Sequence, residues 1–182
     1  QTLYWFALHE LYVSFSIGFR LENRSLKKRG LSFWNWRNRT WSWLAVLVLF
    51  QAAIYLVGGC VRDALLGFPS SDLDFACSLA PAEISQNLES AGIQVIPTGL
   101  QHQTVTAVVL PDLPHVEITT FRSEGMSPDG GLARGQSIEE DLSYRDFTIN
   151  ALALTLEGTL CDLHYGVADL DAGIIRCVGD AQ

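Results

Sequence analysis

The main body of this sequence has very little positive charge. No lysine follows Lys28, and residues 41–182 contain five arginines against eighteen Asp and Glu residues. Nucleic-acid-binding domains depend on Lys and Arg, so this region is not a free-standing one. Residues 1–40 have seven basic and two acidic residues, and all five Trp lie at or before Trp43. We therefore predict a basic, Trp-rich extension of unknown role at residues 1–44 and one domain at residues 45–182.

The sequence also lacks cysteine spacing of a kind that binds metal. None of its four cysteines forms a CxxC pair or a Cys/His ligand pattern, so buried reduced thiols are expected. Internal repeats and low-complexity segments are absent. A chain of 182 residues that is 48% hydrophobic is long enough to bury a proper core, which indicates a globular domain.

One long apolar run, Trp41–Val57, is interrupted by Ser42 and Gln51 and is just shorter than the roughly 20 residues of a membrane span. Together with the basic segment before it, the run could be a membrane anchor, and the Arg-rich segment could be an organellar transit peptide. We favour a buried helix at about residues 43–53 that continues into a core strand at Ile54–Val57. This interpretation predicts no stable membrane association and a cytoplasmic protein, or an organellar one if the transit peptide is real.

Strand and helix patterns alternate irregularly along the rest of the chain. The predicted elements are a strand at 54–57, a helix at 60–67, a strand at 72–77, a helix at 80–92, a strand at 93–97, a hairpin of 104–110 and 115–121, a Gly-rich mobile loop at 123–136, a capped helix from Ser137 and a second hairpin within 151–163. Because βα alternation is not strict, we expect an α/β (α+β) fold in which helices pack on a mixed sheet.

Two aspartates stand one residue apart in the predicted strand at residues 72–77. Side chains alternate along a strand, so Asp72 and Asp74 point to the same side of the sheet. Adjacent carboxylates repel each other unless a cation lies between them, and Mg²⁺ prefers oxygen ligands. These residues are the predicted metal ligands. Glu117, in the middle of another predicted strand, is the candidate third carboxylate; the alternative is a solvated face of an edge strand.

A glycine pair and a polar cluster suggest how a phosphate is bound. Gly58 and Gly59 join a strand to a helix, where backbone N–H groups can approach an anion, and Arg62 follows in the first helical turn. Further along, Arg145, Asp146 and Asn150 interrupt an apolar segment. Asp146 and Asn150 are spaced i, i+4 and share a face if the segment is helical. Arg suits a phosphate or ribose, and Asp and Asn suit sugar hydroxyls.

Taken in order, five segments resemble motifs of one protein family. They are YLVGGCVRDALLG at 55–67, SDLDFA at 71–76, GLQHQTVTAVV at 99–109, EITTFR at 117–122 and EEDLSYRDFTINALA at 139–153. Their order and spacing are similar to the class II tRNA nucleotidyltransferase and bacterial poly(A) polymerase family, which has the polymerase-β-like nucleotidyltransferase fold. The resemblance covers roughly residues 54–180. Tyr144 departs from the family pattern, which has arginine there, and Gln103 stands in place of a glycine.

The resemblance implies template-independent nucleotidyl transfer from CTP or ATP to the 3′ end of tRNA. It assigns Asp72 and Asp74 to two Mg²⁺ ions and Glu117 to the acidic position of the site. The implied nucleotide-binding residues are Gly58, Gly59, Arg62, Asp63, Arg122, Arg145, Asp146 and Asn150.

Which nucleotides are added stays open in the sequence. Family members continue into a base-reading motif and RNA-binding helical domains, and this chain is expected to stop before them. The alternatives are therefore poly(A) synthesis and a nucleotide-binding remnant without productive activity. The sequence predicts no oligomeric state.

Overall fold

The computed structural model describes residues 52–68, 73–96, 103–108, 116–126 and 132–179. Its strands are β1 (Ile54–Val57), β2 (Leu73–Cys77), β3 (Gln94–Ile96), β4 (Thr104–Val108), β5 (Val116–Thr120), β6 (Arg122–Met126), β7 (Leu132–Arg134), β8 (Ala153–Thr155) and β9 (Leu160–Cys161). Its α-helices are α1 (Gly59–Leu66), α2 (Pro81–Ser90), α3 (Ile138–Ser143) and α4 (Gly166–Ala172), and a 3₁₀ turn spans Thr148–Asn150. The extension at 1–44 and most of the helix predicted at 43–53 lie outside these residues.

In the described part of the chain, seven strands form a sheet in the order β3-β4-β5-β2-β1-β8-β9. β2 and β5 run parallel, whereas β1 pairs antiparallel with both β2 and β8. β4 pairs antiparallel with β5, as the first predicted hairpin requires, and β8 pairs with β9 as the second requires. The predicted mixed sheet is confirmed.

The alternation of side chains along the strands gives the sheet two different faces. On one face, α1 and α2 bury Val61, Leu65, Ile84 and Leu88 against a large apolar cluster that includes Phe75. This face therefore holds the larger of the two apolar clusters.

The opposite face of the sheet carries a smaller apolar cluster. Ile138 and Leu142 of α3 pack there against Val57, Ala76 and Phe121. Asp74 lies two residues before Ala76 on β2 and therefore points to this same face. The smaller cluster ends where the polar residues begin, which leaves room for a pocket.

The predicted mobile loop at 123–136 is wrong where the structure describes it. Strands β6 and β7 pair antiparallel there, and residues 127–131 lie outside the described residues. The register shifts between Ser123 and Met126, and Gly125 within that shift has φ +106°. A glycine in a strand that bulges is compatible with pairing, so Gly-rich composition alone did not distinguish this hairpin from a loop.

Two of the four cysteines fit the predicted role of buried thiols. All four are free; Cys60 and Cys77 are buried, but Cys177 is exposed. Burial raises the pKa of the Cys60 thiol to about 11 and that of Cys77 to about 12, so both stay protonated at neutral pH.

The described residues contain no helix of the length and apolar character needed to cross a membrane.

Candidate functional site

A polar pocket of about 330 Å³ opens beside the turn between β1 and α1. Its lining residues come from four separate parts of the chain and are Gly58, Gly59, Asp74, Arg122, Tyr144, Arg145, Asp146 and Asn150. Seven of these were predicted as site residues from the sequence. The pocket size is within the range of small-molecule sites, and its charged lining favours a polar ligand.

Gly58 shapes the turn at the edge of the pocket. Its φ of +76° lies in the region that glycine adopts without strain, and its N–H donates to the Leu152 carbonyl at 3.1 Å. A Cβ placed on Gly58 would lie 2.9 Å from Nη1 of Arg145, so the absence of a side chain lets this guanidinium approach the turn. The Gly58 carbonyl accepts from the N–H of Arg62 at 3.1 Å, which starts α1.

The β2–β5 pairing places Asp74 directly beside Glu117. The strands are parallel and these residues are register partners, so both side chains project from the same face of the sheet. The alternative for Glu117 was a solvated face of an edge strand. Strand β5 lies between β2 and β4 and is not at an edge, so that part of the alternative is wrong. Glu117 is exposed and is not among the pocket-lining residues. Asp72 lies outside the described residues.

Asp141 is a site residue that the sequence reasoning missed. Its carboxylate is fully buried and accepts four hydrogen bonds, from N and Nε of Arg122 at 3.1 Å each and from Nε and Nη2 of Arg145 at 3.1 and 2.8 Å. The spacing of Asp141 and Arg145, i and i+4 on a predicted helix, was the available signal.

The charges around Asp141 decide its ionisation. Burial is the largest influence on the pKa of this carboxyl and raises it, but the Arg145 and Arg122 guanidinium groups together outweigh burial and lower the pKa below its ordinary value. The group is therefore an ionised carboxylate at neutral pH, and it offsets part of the positive charge of the two arginines.

The helix that carries Asp141 begins with the predicted cap. The Ser137 hydroxyl oxygen accepts from the Glu140 N–H at 3.4 Å, and the Glu140 carboxylate accepts from the Gln136 N–H at 2.8 Å. In the usual capping box the glutamate bonds the N–H of the cap residue itself, so here it reaches one residue further back. The predicted helix start at Ser137 is confirmed.

Asp146 and Asn150 come together without the α-helix that the sequence suggested. Asn150 lies in a 3₁₀ turn, and its Nδ2 is 3.5 Å from Oδ1 of Asp146. The segment is hydrogen-bonded to residues 176–178. The Thr148 N–H donates to the Arg176 carbonyl, and the Val178 N–H donates to the Asp146 carbonyl. These bonds hold the backbone in an extended-then-turned path that an α-helix does not follow.

Arg62 and Asp63 are not among the residues that line the pocket, but Arg62 bonds one that is. Nη1 of Arg62 donates to Oδ1 of Asn150 at 2.7 Å, and its Nε donates to Asp63 at 2.8 Å. Arg62 therefore holds the Asn150 side chain, and Asp63 in turn holds Arg62.

A second buried carboxylate, Asp169 on α4, bonds the 3₁₀ turn Thr148–Asn150 through Thr148. Thr148 donates to it at 2.7 Å, and the Arg176 guanidinium donates to both of its oxygens. The hydrogen bonds from Arg176 first, and from Thr148 second, lower the pKa of Asp169.

The chemistry of the donors beside the pocket fits a hard divalent cation. Asp74 and Glu117 supply carboxylate oxygens from one sheet face, and Mg²⁺ takes such ligands. Within the described residues, which leave out Asp72, no group of three His, Cys, Asp or Glu is close enough together to hold a metal ion.

Comparison with known proteins identifies the family. The family model described as the poly A polymerase head domain matches residues 54–176, which include every residue that lines the pocket. This chain belongs to the poly A polymerase head domain family. The resemblance inferred from the five sequence segments is thereby confirmed.

Curated relatives of this head domain are CCA-adding enzymes. The one from Lactiplantibacillus plantarum is 44% identical over 132 residues, which are 70% of this chain and 31% of the relative. The one from Latilactobacillus sakei is 45% identical over 146 residues, 76% of this chain and 35% of the relative. The chain thus spans about a third of the length of the curated relatives it matches.

Solved structures agree with this assignment. The Bacillus stearothermophilus CCA-adding enzyme in complex with CTP matches with a TM-score of 0.67 at 35% identity, covering 78% of this head-domain chain and 33% of that one. A tRNA nucleotidyltransferase complexed with a primer tRNA and an incoming ATP analogue matches with a TM-score of 0.60 at 32% identity, covering 74% and 38%. The predicted nucleotidyltransferase fold is confirmed.

Proposed function

We propose that this protein transfers nucleotides from CTP and ATP to the 3′ end of tRNA, completing the CCA sequence. The observation that carries the proposal is one pocket that combines a glycine turn, an acidic strand residue and two arginines held by a buried carboxylate. The relatives support it: they are CCA-adding enzymes, and similar structures contain CTP in one case and a primer tRNA with an ATP analogue in another.

In this proposal different pocket residues bind the triphosphate and the ribose of the nucleotide. The Gly58–Gly59 turn and the guanidinium groups of Arg122 and Arg145 bind the triphosphate, because backbone N–H groups and fixed guanidinium forks both suit phosphate oxygens. Asp146 and Asn150 hydrogen-bond the ribose hydroxyls. Arg62 and Asp63 keep Asn150 in place through the contacts described above.

Asp72, Asp74 and Glu117 are the residues that would hold Mg²⁺. When bound, the metal would neutralise triphosphate charge and lower the pKa of the attacking 3′-hydroxyl. Asp74 faces the pocket, and Glu117 lies next to it on β5. The proposal is that Asp74 and Glu117, together with Asp72, act on the α-phosphate that the RNA end attacks.

RNA contact is proposed to depend mainly on other parts of the protein. Residues 41–182 have eighteen acidic residues against five arginines, which is a poor surface for a polyanion. We propose that residues 45–182 form the head domain and that residues 1–44 are an extension outside the catalytic unit.

A cytoplasmic location fits tRNA processing in bacteria like those of the relatives, and the organellar alternative stays a prediction.

A chimera tests the proposed activity directly. Residues 54–176 replace the matching segment of the Lactiplantibacillus plantarum CCA-adding enzyme, and incorporation of labelled CMP and AMP into tRNA lacking its CCA end is measured. We expect the chimera to add C, C and A. Asp74→Asn should lower the rate at least about a hundredfold, which is the loss typical of removing one electrostatic stabiliser of the transition state.

The 182-residue chain is assayed beside the chimera, with Glu89→Gln as a control for loss of one negative charge, since Glu89 is exposed on α2. Addition of A alone in long runs would favour poly(A) synthesis. A chimera that binds nucleotides but adds none would favour the remnant interpretation and contradict the proposal.

A further inference from the structure

The buried Asp141 carboxylate connects two arginines that enter the pocket from different elements. Arg122 begins β6, and Arg145 follows the end of α3, so the chain does not hold the two guanidinium groups together by itself. The exposed fraction of the Arg145 side chain is 12% and that of Arg122 is 26%, whereas Asp141 has none. A single carboxylate therefore lies behind both cations, on the side away from solvent.

The hydrogen bonds to Asp141 leave at least one terminal guanidinium nitrogen of each arginine without a bond to this carboxylate. It accepts from Nε and Nη2 of Arg145, and Nη1 of that residue is directed at the Gly58 turn. It accepts from the backbone N–H and Nε of Arg122, and not from the terminal nitrogens. The carboxylate therefore holds Arg145 through two guanidinium nitrogens and Arg122 through Nε and the backbone, while both residues line the pocket.

We propose that Asp141 is a positioning residue, which holds Arg122 and Arg145 in the orientation that binds the anionic chain of the nucleotide. The inference rests on the proposed function for the nature of the ligand. Asp141 touches neither nucleotide nor reacting atoms in this account, and it acts entirely through the two arginines.

Two physical explanations predict opposite effects of neutralising Asp141 on the affinity for an anion. If only charge matters, Asp141→Asn removes a negative group beside an anion site, so anion binding becomes tighter. If orientation matters, binding becomes weaker. An Asn side chain has one acceptor oxygen and places an NH₂ donor against a guanidinium, so one arginine loses its partner. The direction of the change in Kd therefore decides between them.

The first measurement tests whether Asp141 holds the arginines. In the 182-residue chain, the Nε–H NMR signals of Arg122 and Arg145 are assigned with Arg122→Lys and Arg145→Lys. We expect both signals to be protected from solvent exchange, and at least one to lose that protection in Asp141→Asn. Protection that is unchanged in the variant would overturn the proposal.

The second measurement tests the consequence for binding. Dissociation constants for CTP, ATP and inorganic tripolyphosphate are measured by calorimetry in the wild-type chain and in Asp141→Asn. We expect about tenfold weaker binding, on the scale of other residues that orient a ligand-binding side chain. In an Arg122→Gln/Arg145→Gln background, adding Asp141→Asn should change Kd by less than about twofold, since additivity fails when one residue acts through others.

Asp162→Asn is the matched control, because Asp162 is a part-buried carboxylate that accepts from the N–H groups of Gly166 and Val167 outside the pocket. It should leave Kd unchanged.

The outcomes separate the inference from the proposed function. Binding that is unchanged or tighter in Asp141→Asn overturns the positioning role even if the wild-type chain binds CTP. Tripolyphosphate binding that depends on Asp141, in a chain that binds neither CTP nor ATP, supports the inference and contradicts the proposed function. If Asp141→Asn weakens binding equally in the Arg122→Gln/Arg145→Gln background, its effect is a general structural one and the inference is overturned.

Discussion

At the scale of single residues, the absence of a side chain at Gly58 matters as much as the charges around it. Gly58 has φ +76°, and a Cβ there would lie 2.9 Å from Nη1 of Arg145. Gly92 has a nearly identical φ of +78° but open space around the position of a Cβ. The two glycines therefore separate backbone strain from displacement of the arginine.

Gly58→Ala and Gly92→Ala are expected to have different effects on binding. Both variants should lose about 1 kcal/mol of stability, because an L residue is strained at positive φ. Only Gly58→Ala should also weaken CTP binding, by about tenfold on the scale of a disturbed ligand-orienting side chain. Urea unfolding and calorimetry measure the two effects. Equal Kd values for both variants would contradict the role given to the Arg145 approach.

Most pocket residues could be predicted singly, because polar groups in an apolar stretch stand out in sequence. Asp141 did not stand out, because three acidic residues in the first turn of a helix are common at an N-terminus and Glu139 and Glu140 precede it. What distinguishes Asp141 is complete burial between two arginines, one of them distant in sequence at Arg122. That contact is a product of the tertiary fold.

At the scale of elements, the short helix α3 determines where Asp141 lies. The helix has six residues, too few to be stable alone, so its start depends on the Ser137 cap and on packing of Ile138 and Leu142 against the sheet. Any loss at the cap is therefore transmitted to the residue that holds both arginines.

Ser137→Ala is expected to lower the free energy of unfolding by about 1 kcal/mol, the usual cost of losing a cap. Ser143→Ala at the other end of α3 is the control, because its hydroxyl donates to the Glu139 carbonyl on an exposed surface. The control should change stability by less than about 0.5 kcal/mol. Denaturant unfolding compares the two, and equal losses would show that the cap has no special role.

Among the elements, strands and helices with a clear apolar period were predictable, and the β6–β7 hairpin was not. Gly, Ser and Pro suggested a loop, but pairing across Arg122 and Arg134 overrode that preference. In the same way, Asp146 to Asn150 has helical spacing, yet bonds to Arg176 and Val178 impose a 3₁₀ turn. The hairpin was missed because its composition resembles that of a loop, although its two strands are close in the chain. The 3₁₀ turn was missed because it depends on bonds to residues about 30 positions further along, which local propensity does not contain.

At the scale of the whole molecule, the few positive charges of residues 41–182 concentrate around one site. Two of the five arginines in this region, Arg122 and Arg145, line the pocket, and Arg62 bonds Asn150 at its edge. The sheet order that brings them together could not be read from the sequence, because several pairings of the same strands are compatible with their patterns. The lining also contains Asp74 and Asp146, so the pocket combines two guanidinium groups with two carboxylates.

This charge arrangement predicts a pH dependence of stability. The pKa of Asp141 is lowered in the folded state, so the unfolded chain binds its proton first as pH falls through about 4. The contribution of Asp141 is therefore present above that pH and is lost as pH falls through the lower folded pKa. We expect the stability difference between wild type and Asp141→Asn to be largest at pH 7 and to narrow at pH 3. A difference that stays constant in urea unfolding across this range would contradict the assigned ionisation.

The most direct test of the whole account is calorimetric titration of CTP into the 182-residue chain, with and without Mg²⁺, in wild type and in Asp74→Asn. Glu89→Gln serves as the control for net charge. We expect saturable, Mg²⁺-dependent heat in wild type and in Glu89→Gln, and loss of that heat in Asp74→Asn. Binding of CTP with the same Kd in Asp74→Asn, or no Mg²⁺-dependent binding in wild type, would contradict it.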